Sequence, residues 1–193
     1  NTSLKNTTWF TCKGTSWVNV SATRKYAKSG KNSLALYARN QKDIYTTISN
    51  LEQNTYYVVS YYWMLPKSVV TDTATAGDGY YGAVIGNTDC TTTDAAKKCV
   101  IGGDIADDKR IDFTGGQWNY SEFVFNSAEY SDLRLFFYYY SNQSTGNDSL
   151  YIDELTVFKA PDQQSVATYK ANVTAENGYA YSMLTKPVAY DTE

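Results

Sequence analysis

Two stretches, residues 51–65 (LEQNTYYVVSYYWML) and 116–125 (GQWNYSEFVF), alternate apolar and polar residue by residue and put aromatic rings at both odd and even positions. A strand sends successive side chains to opposite faces. Rings on the core face are therefore ordinary, whereas rings on the outer face need a reason. Similar short segments recur about every 8 to 15 residues, separated by Gly, Asn, Asp or Ser, and no longer window holds a 3.6-residue period. This spacing predicts an all-β fold, a two-sheet antiparallel β-sandwich or jelly roll. Strands are expected over 8–12, 17–21, 33–38, 43–48, 56–65, 80–86, 100–105, 117–126, 133–141 and 149–158, with turns at 29–32, 52–54, 77–79, 115–116 and 146–148.

The alternation also assigns faces. In 56–65 the more hydrophobic set is Tyr57, Val59, Tyr61, Trp63 and Leu65, which leaves Tyr56, Val58, Ser60, Tyr62 and Met64 outside. In 133–141 the expected core set is Leu133, Leu135, Phe137 and Tyr139, with Arg134, Phe136, Tyr138 and Tyr140 outward. In 117–126 Phe123 and Phe125 turn inward and Tyr120, Glu122 and Val124 outward. A register slip of one residue would exchange the two sets.

Pro161 and the polar residues that follow it mark a boundary after the last strongly apolar strand. Residues 1–159 are expected to form the sandwich. Residues 160–193 form a linker and a β-hairpin of 168–174 and 179–184, which either packs back on the sandwich or begins the next module.

Composition narrows the function. The 193 residues are 42% hydrophobic and carry a net charge of −3, enough core for independent folding and no basic footprint for nucleic acid. No apolar run reaches the ~18 residues of a membrane span, and the start at Asn1 without a signal peptide suits a mature or excised fragment. Histidine is absent, which removes Ser-His-Asp hydrolases, Cys-His proteases and the usual zinc hydrolases. Six glutamates remain, none in a Glu-x-Asp-x-x-Glu strand pattern, so catalysis by a carboxylate pair is not expected. Of the three cysteines, Cys90 and Cys99 bracket a polar loop that a disulfide would close, leaving Cys12 free and buried; three reduced thiols are the alternative. Sequons at Asn6, Asn19, Asn119, Asn142, Asn147 and Asn172 would matter in a eukaryotic secretory host. Nineteen tyrosines against seven phenylalanines favour rings with a polar tip, which suit a wet, sugar-like ligand better than a dry core.

Four segments in order, 26–36 (YAKSGKNSLAL), 51–63 (LEQNTYYVVSYYW), 116–125 (GQWNYSEFVF) and 150–157 (LYIDELTV), resemble the bacterial carbohydrate-binding modules of families four, nine, sixteen and twenty-two over residues 1 to 159. The resemblance implies a galactose-binding-like jelly roll, exported or displayed at a cell surface as part of a larger modular protein. Such a module needs no cofactor and is not an enzyme. It would tether an enzyme or cell to a polysaccharide, a glucan or xylan, with starch-type α-glucan included. The resemblance further implies a structural calcium ion held by the turn at Gly30 and Asn32 and by Asp153, although Lys5 stands where the family pattern has an acidic residue.

Sugar rings have apolar C–H faces edged by hydroxyls, so a binder needs aromatic planes with fixed donors and acceptors around them. Tyr62, Tyr138 and Tyr140 are the expected planes, with Tyr120 beside them, and Arg134, Glu122 and Asn142 the expected hydrogen-bonding partners. An adhesive β-sandwich with a protein partner is the second reading and a glycoside hydrolase the third.

Overall fold

The computed structural model describes residues 2–3, 10–11, 26–37, 42–64, 79–89, 102–106, 116–141 and 149–165, and at 2–3, 10–11, 37, 42–43, 79–81, 102–106 and 138–141 the backbone alone. These residues form ten strands: β1 (Thr2–Ser3), β2 (Phe10–Thr11), β3 (Leu34–Tyr37), β4 (Lys42–Ile48), β5 (Tyr56–Met64), β6 (Gly79–Gly86), β7 (Gly102–Ala106), β8 (Asn119–Asn126), β9 (Leu133–Ser141) and β10 (Ser149–Lys159). All their pairings are antiparallel, in two sheets. The first runs β1-β10-β5-β8, with β3 also pairing β10, and the second runs β2-β4-β9-β6-β7. The all-β, two-sheet antiparallel expectation is thereby met. The expected strand at 17–21, Cys12, the Cys90–Cys99 bridge, Asn142 and the hairpin at 168–174 and 179–184 lie outside the described residues.

Period-two alternation on each sheet meets in one core. The first sheet contributes Tyr57, Val59, Tyr61, Trp63, Phe123, Phe125, Leu150, Ile152 and Val157, and the second Ile44, Ile48, Ala83, Ile85, Leu133, Leu135 and Phe137. Each large apolar side chain removed from water here contributes about 1.5–3 kcal/mol. Tyr61 meets Phe137 edge-on, ring centroids 5.0 Å apart at 86°, which places β5 against β9. The Trp63 indole donates to the Ser121 hydroxyl at 2.9 Å, so its one polar atom is satisfied inside.

The outward sets are less open than alternation alone suggests. Val58 and Val124 point away from the core yet are buried, packed with Ala160, Tyr56 and Phe158. On the second sheet Phe136 and Val84 are likewise buried although they alternate with core residues. The chain leaving β10 bends back at the start of β5. Ala160 N–H donates to the Tyr56 carbonyl at 2.9 Å, and the Gln163 side chain accepts from Tyr56 N–H at 2.6 Å and donates to the Tyr56 carbonyl at 3.0 Å. Asp162 then accepts the backbone N–H groups of Gln164 and Ser165, capping a helical turn at 163–165.

One irregularity positions the candidate site. Against β5, Asp153 pairs with Tyr62 and Thr156 with Ser60, so three steps along β10 match two along β5. The extra residue makes a β-bulge, and Glu154 within it takes a left-handed φ of 50°.

Candidate functional site

The outer face of the first sheet is built in cross-strand rows. One row is Thr156, Ser60 and Glu122 across β10, β5 and β8, and the next is Asp153, Tyr62 and Tyr120. Beyond it lie Met64 and Tyr151, packed with Ala35, Tyr26 and Trp118. The Ser60 and Thr156 hydroxyls share a hydrogen bond at 2.7 Å.

Tyr120 is 44% exposed, the one large hydrophobic side chain exposed among the described residues. Its hydroxyl, unlike its ring, is held: it donates to Glu122 Oε2 at 2.6 Å. Burial of the phenol, followed by that bond to a carboxylate, pushes the hydroxyl well above the usual tyrosine range. Glu122 is only 6% exposed, and its other oxygen, Oε1, is buried with no hydrogen-bond partner among the described residues. A buried carboxylate oxygen in this state is costly until a donor meets it.

Tyr62 sits 5.1 Å from Tyr120, ring to ring at 58°. The Lys28 ammonium lies 3.8 Å from the Tyr62 ring centroid and 2.9 Å from Glu154 Oε2. Tyr62 is thus a packed support beneath a cation, and the free ring of the pair is Tyr120. The bond to Glu154, more than any other contact, raises the Lys28 ammonium above the ordinary lysine value.

Asp153 anchors the loop that carries Lys28. Its Oδ2 accepts the backbone N–H groups of Lys28 at 2.7 Å and Ser29 at 3.1 Å, and its Oδ1 accepts Glu154 N–H at 2.7 Å. The Ser33 hydroxyl closes the same loop on the Tyr26 carbonyl at 2.6 Å. A calcium ion gathers six to eight oxygens. Here the Asp153 oxygens accept from N–H donors, and Gly30 and Asn32 are exposed. Gly30 takes a φ of 66°, which the tight turn requires of it. No group of three or more His, Cys, Asp or Glu suited to a metal occurs among the described residues. As placed, the Asp153 carboxylate is committed to three backbone amides.

The expected sugar-binding residues separate onto two sheets. Tyr62, Tyr120 and Glu122 share the outer face just described, whereas Arg134 and positions 138 and 140 fall on β9 of the other sheet. The outer faces of a sandwich point in opposite directions, so these residues do not form one groove. Arg134 instead lies 4.6 Å over the Tyr45 ring, next to buried Phe136. Sequence reading missed Lys28, Glu154, Tyr26, Tyr151 and Trp118. Tyr151 alternates with core residues Leu150 and Ile152 and was findable by period; Lys28 had no signal beyond its charge.

No protein-family model matches the chain, and no curated protein sequence matches it. Among solved structures the fold is similar to TmCBM61 in complex with beta-1,4-galactotriose, at 11% identity and a TM-score of 0.47 over 82% of this chain and 91% of that one. It is similar to the K1 cleaved adhesin domain of Lys-gingipain from Porphyromonas gingivalis W83, at 13% identity and a TM-score of 0.48 over 82% and 96%. A third similar structure is carbohydrate-binding module CBM36 in complex with calcium and xylotriose, at 12% identity and a TM-score of 0.41 over 81% and 98%. Among the described residues no helix is long and apolar enough to cross a membrane.

Proposed function

We propose that this protein is a non-catalytic polysaccharide-binding module whose site is the outer face of the first sheet around Tyr120. The observation that carries the reading is the Tyr120 ring, exposed while its hydroxyl is pinned to a buried carboxylate. An aromatic plane fixed in this way loses little freedom when a pyranose ring settles on it. Glu122 and the Ser60–Thr156 hydroxyl pair supply polar edges along the adjoining row. A hydrolytic role finds less support: Asp153 is engaged by three backbone amides and Glu154 by Lys28, so neither stands ready to move a proton. A module of this kind would work outside the cell, at the end of a secreted enzyme or on the cell surface, holding its host against a glucan or xylan.

Affinity gels with starch, xylan and mixed-linkage β-glucan test the reading. Tyr120→Ala should weaken retention by roughly 5- to 150-fold, the range for truncating an aromatic anchor worth about 1–3 kcal/mol. Undiminished binding by Tyr120→Ala, with loss on Tyr45→Ala, would move the site to the other sheet. Retention of none of the polysaccharides, with no reducing sugar released, would favour the adhesive reading.

A further inference from the structure

The outer face of the first sheet holds one arrangement complete and the same arrangement half filled. In the complete half, an ammonium group (Lys28 Nζ) lies 3.8 Å above an aromatic ring (Tyr62) and 2.9 Å from a carboxylate (Glu154). In the other half, 5.1 Å away ring to ring, an exposed ring (Tyr120) stands beside a carboxylate (Glu122) whose Oε1 is buried and unpartnered among the described residues. Among the described residues no ion pair or cation–π contact joins it. Among the described residues three carboxylates, Glu122, Asp153 and Glu154, lie on this face with the ammonium of Lys28. Both a ring face and a buried carboxylate are stabilised by a cation, and the two together recognise an amine better than either alone.

We infer that the Tyr120–Glu122 half of this face receives the protonated amine of an amino sugar, so that, of the polysaccharides such a module would hold, chains with glucosamine-type residues bind more tightly than neutral or uronic ones. The inference rests on the proposed glycan-binding role. The pyranose C–H face would lie on Tyr120, and Glu122, whose Oε1 is covered in the free protein, would turn that oxygen outward to meet the ammonium. A uronic acid carboxylate in that position would meet Glu122 as a like charge, with Asp153 and Glu154 two strands away on β10.

The experiment is calorimetric titration of the whole 193-residue chain with three oligosaccharides of matched length: a glucosamine oligomer, its N-acetylated counterpart and a galacturonate oligomer. The glucosamine oligomer should bind about tenfold more tightly than the acetylated one, the scale of a partly desolvated cation–π contact joined to an ion pair. Galacturonate should bind weakest. Glu122→Gln, whose amide oxygen still accepts from Tyr120, should erase the preference, the ratio of the two affinities being the quantity read. Glu129→Gln, on an exposed turn, should leave the preference unchanged and so exclude a bulk charge effect. Raising the pH through the ligand amine's own titration should also remove the preference in the unmutated chain, because the raised Lys28 ammonium and Tyr120 phenol keep their protons there. Equal affinity for the amine and acetylated oligomers, a preference that survives Glu122→Gln, or tighter binding of a lysine peptide of equal charge would overturn the inference. If glycans bind in a Tyr120-dependent way without preference for the amine, the amino-sugar inference alone fails; if none of the three binds and none of the starch, xylan and β-glucan gels retains the protein, the glycan-binding reading fails with it.

Discussion

Asp153→Ala is the substitution that most directly probes how the candidate site is held. The carboxylate accepts three backbone N–H bonds of 2.7, 3.1 and 2.7 Å, from Lys28, Ser29 and Glu154. A hydrogen bond to a charged acceptor is worth about 1.5–3 kcal/mol when buried. Asp153 is half-buried, so the released amides recover part of that from water, and the Glu154 contact is local to the bulge. The expected loss is therefore about 2–4 kcal/mol, against a total stability of about 5–15 kcal/mol for an ordinary domain. Thermal melting should fall by about 5–15 °C, and the urea midpoint should drop with an unchanged slope. Asp153→Asn keeps one acceptor oxygen and should fall between the wild type and Asp153→Ala. Releasing the loop also frees Lys28 from Tyr62, so the cation–π contact should go with it. Melting of the wild type should be indifferent to calcium and to a chelator, because amide protons rather than a cation surround the carboxylate. A loss below about 0.5 kcal/mol for Asp153→Ala, or a calcium-dependent rise in melting that Asp153→Ala abolishes, would refute this account of the latch.

Phe137→Ala should cost about 3–5 kcal/mol by urea unfolding, because it empties the contact between the two sheets. Phe136→Ala should cost nearly as much despite pointing the other way; a cost under about 1 kcal/mol would mean that the outer face of the second sheet is open. The Tyr120 phenol, followed by carbon NMR of the ring, should stay protonated as the pH passes the ordinary tyrosine value of 10.0. Since its folded-state pKa is raised, its contribution to stability is fully present below that ordinary value and is lost as the pH climbs toward the folded one. Titration of Tyr120 together with the exposed tyrosines would show that its hydroxyl is not held by Glu122.

Strand alternation made the core face of β5 legible: Tyr57, Val59, Tyr61 and Trp63 all point inward, as do Phe123 and Phe125 on β8 and Leu133, Leu135 and Phe137 on β9. Period two acts locally, so any single strand reveals its own faces. Strand neighbours are a different kind of information. β5 lies between β8 and β10, partners some 60 to 100 residues along the chain, while β9 lies between β4 and β6 in the other sheet. Nothing in the alternation of β5 or β9 says which sheet either joins, and this is why Tyr62 meets Tyr120 whereas positions 138 and 140 fall on the far side. Burial of Val58 and Phe136 was illegible for a related reason. What covers an outward residue, as Tyr56, Phe158 and Ala160 cover Val58, depends on where other segments return.

The bulge at Glu154 joins these levels. Without the extra residue, alternation along β10 could not place both Asp153 and Thr156 on the outer face, and either the latch to Lys28 and Ser29 or the hydroxyl pair with Ser60 would be lost. A left-handed backbone at a residue with a Cβ costs roughly 1–2 kcal/mol. Two contacts there offset it: the bond from Glu154 N–H to Asp153 and the ion pair of its carboxylate with Lys28. The ion pair alone would not suffice, since both side chains are partly exposed and solvent screens their attraction. The strain is held mainly by the amide bonds to Asp153, and the same bonds carry Lys28 to the face of Tyr62. Local irregularity and site geometry therefore share a cause, an inserted residue in β10 that sets the Asp153 and Glu154 carboxylates beside a pair of tyrosine rings.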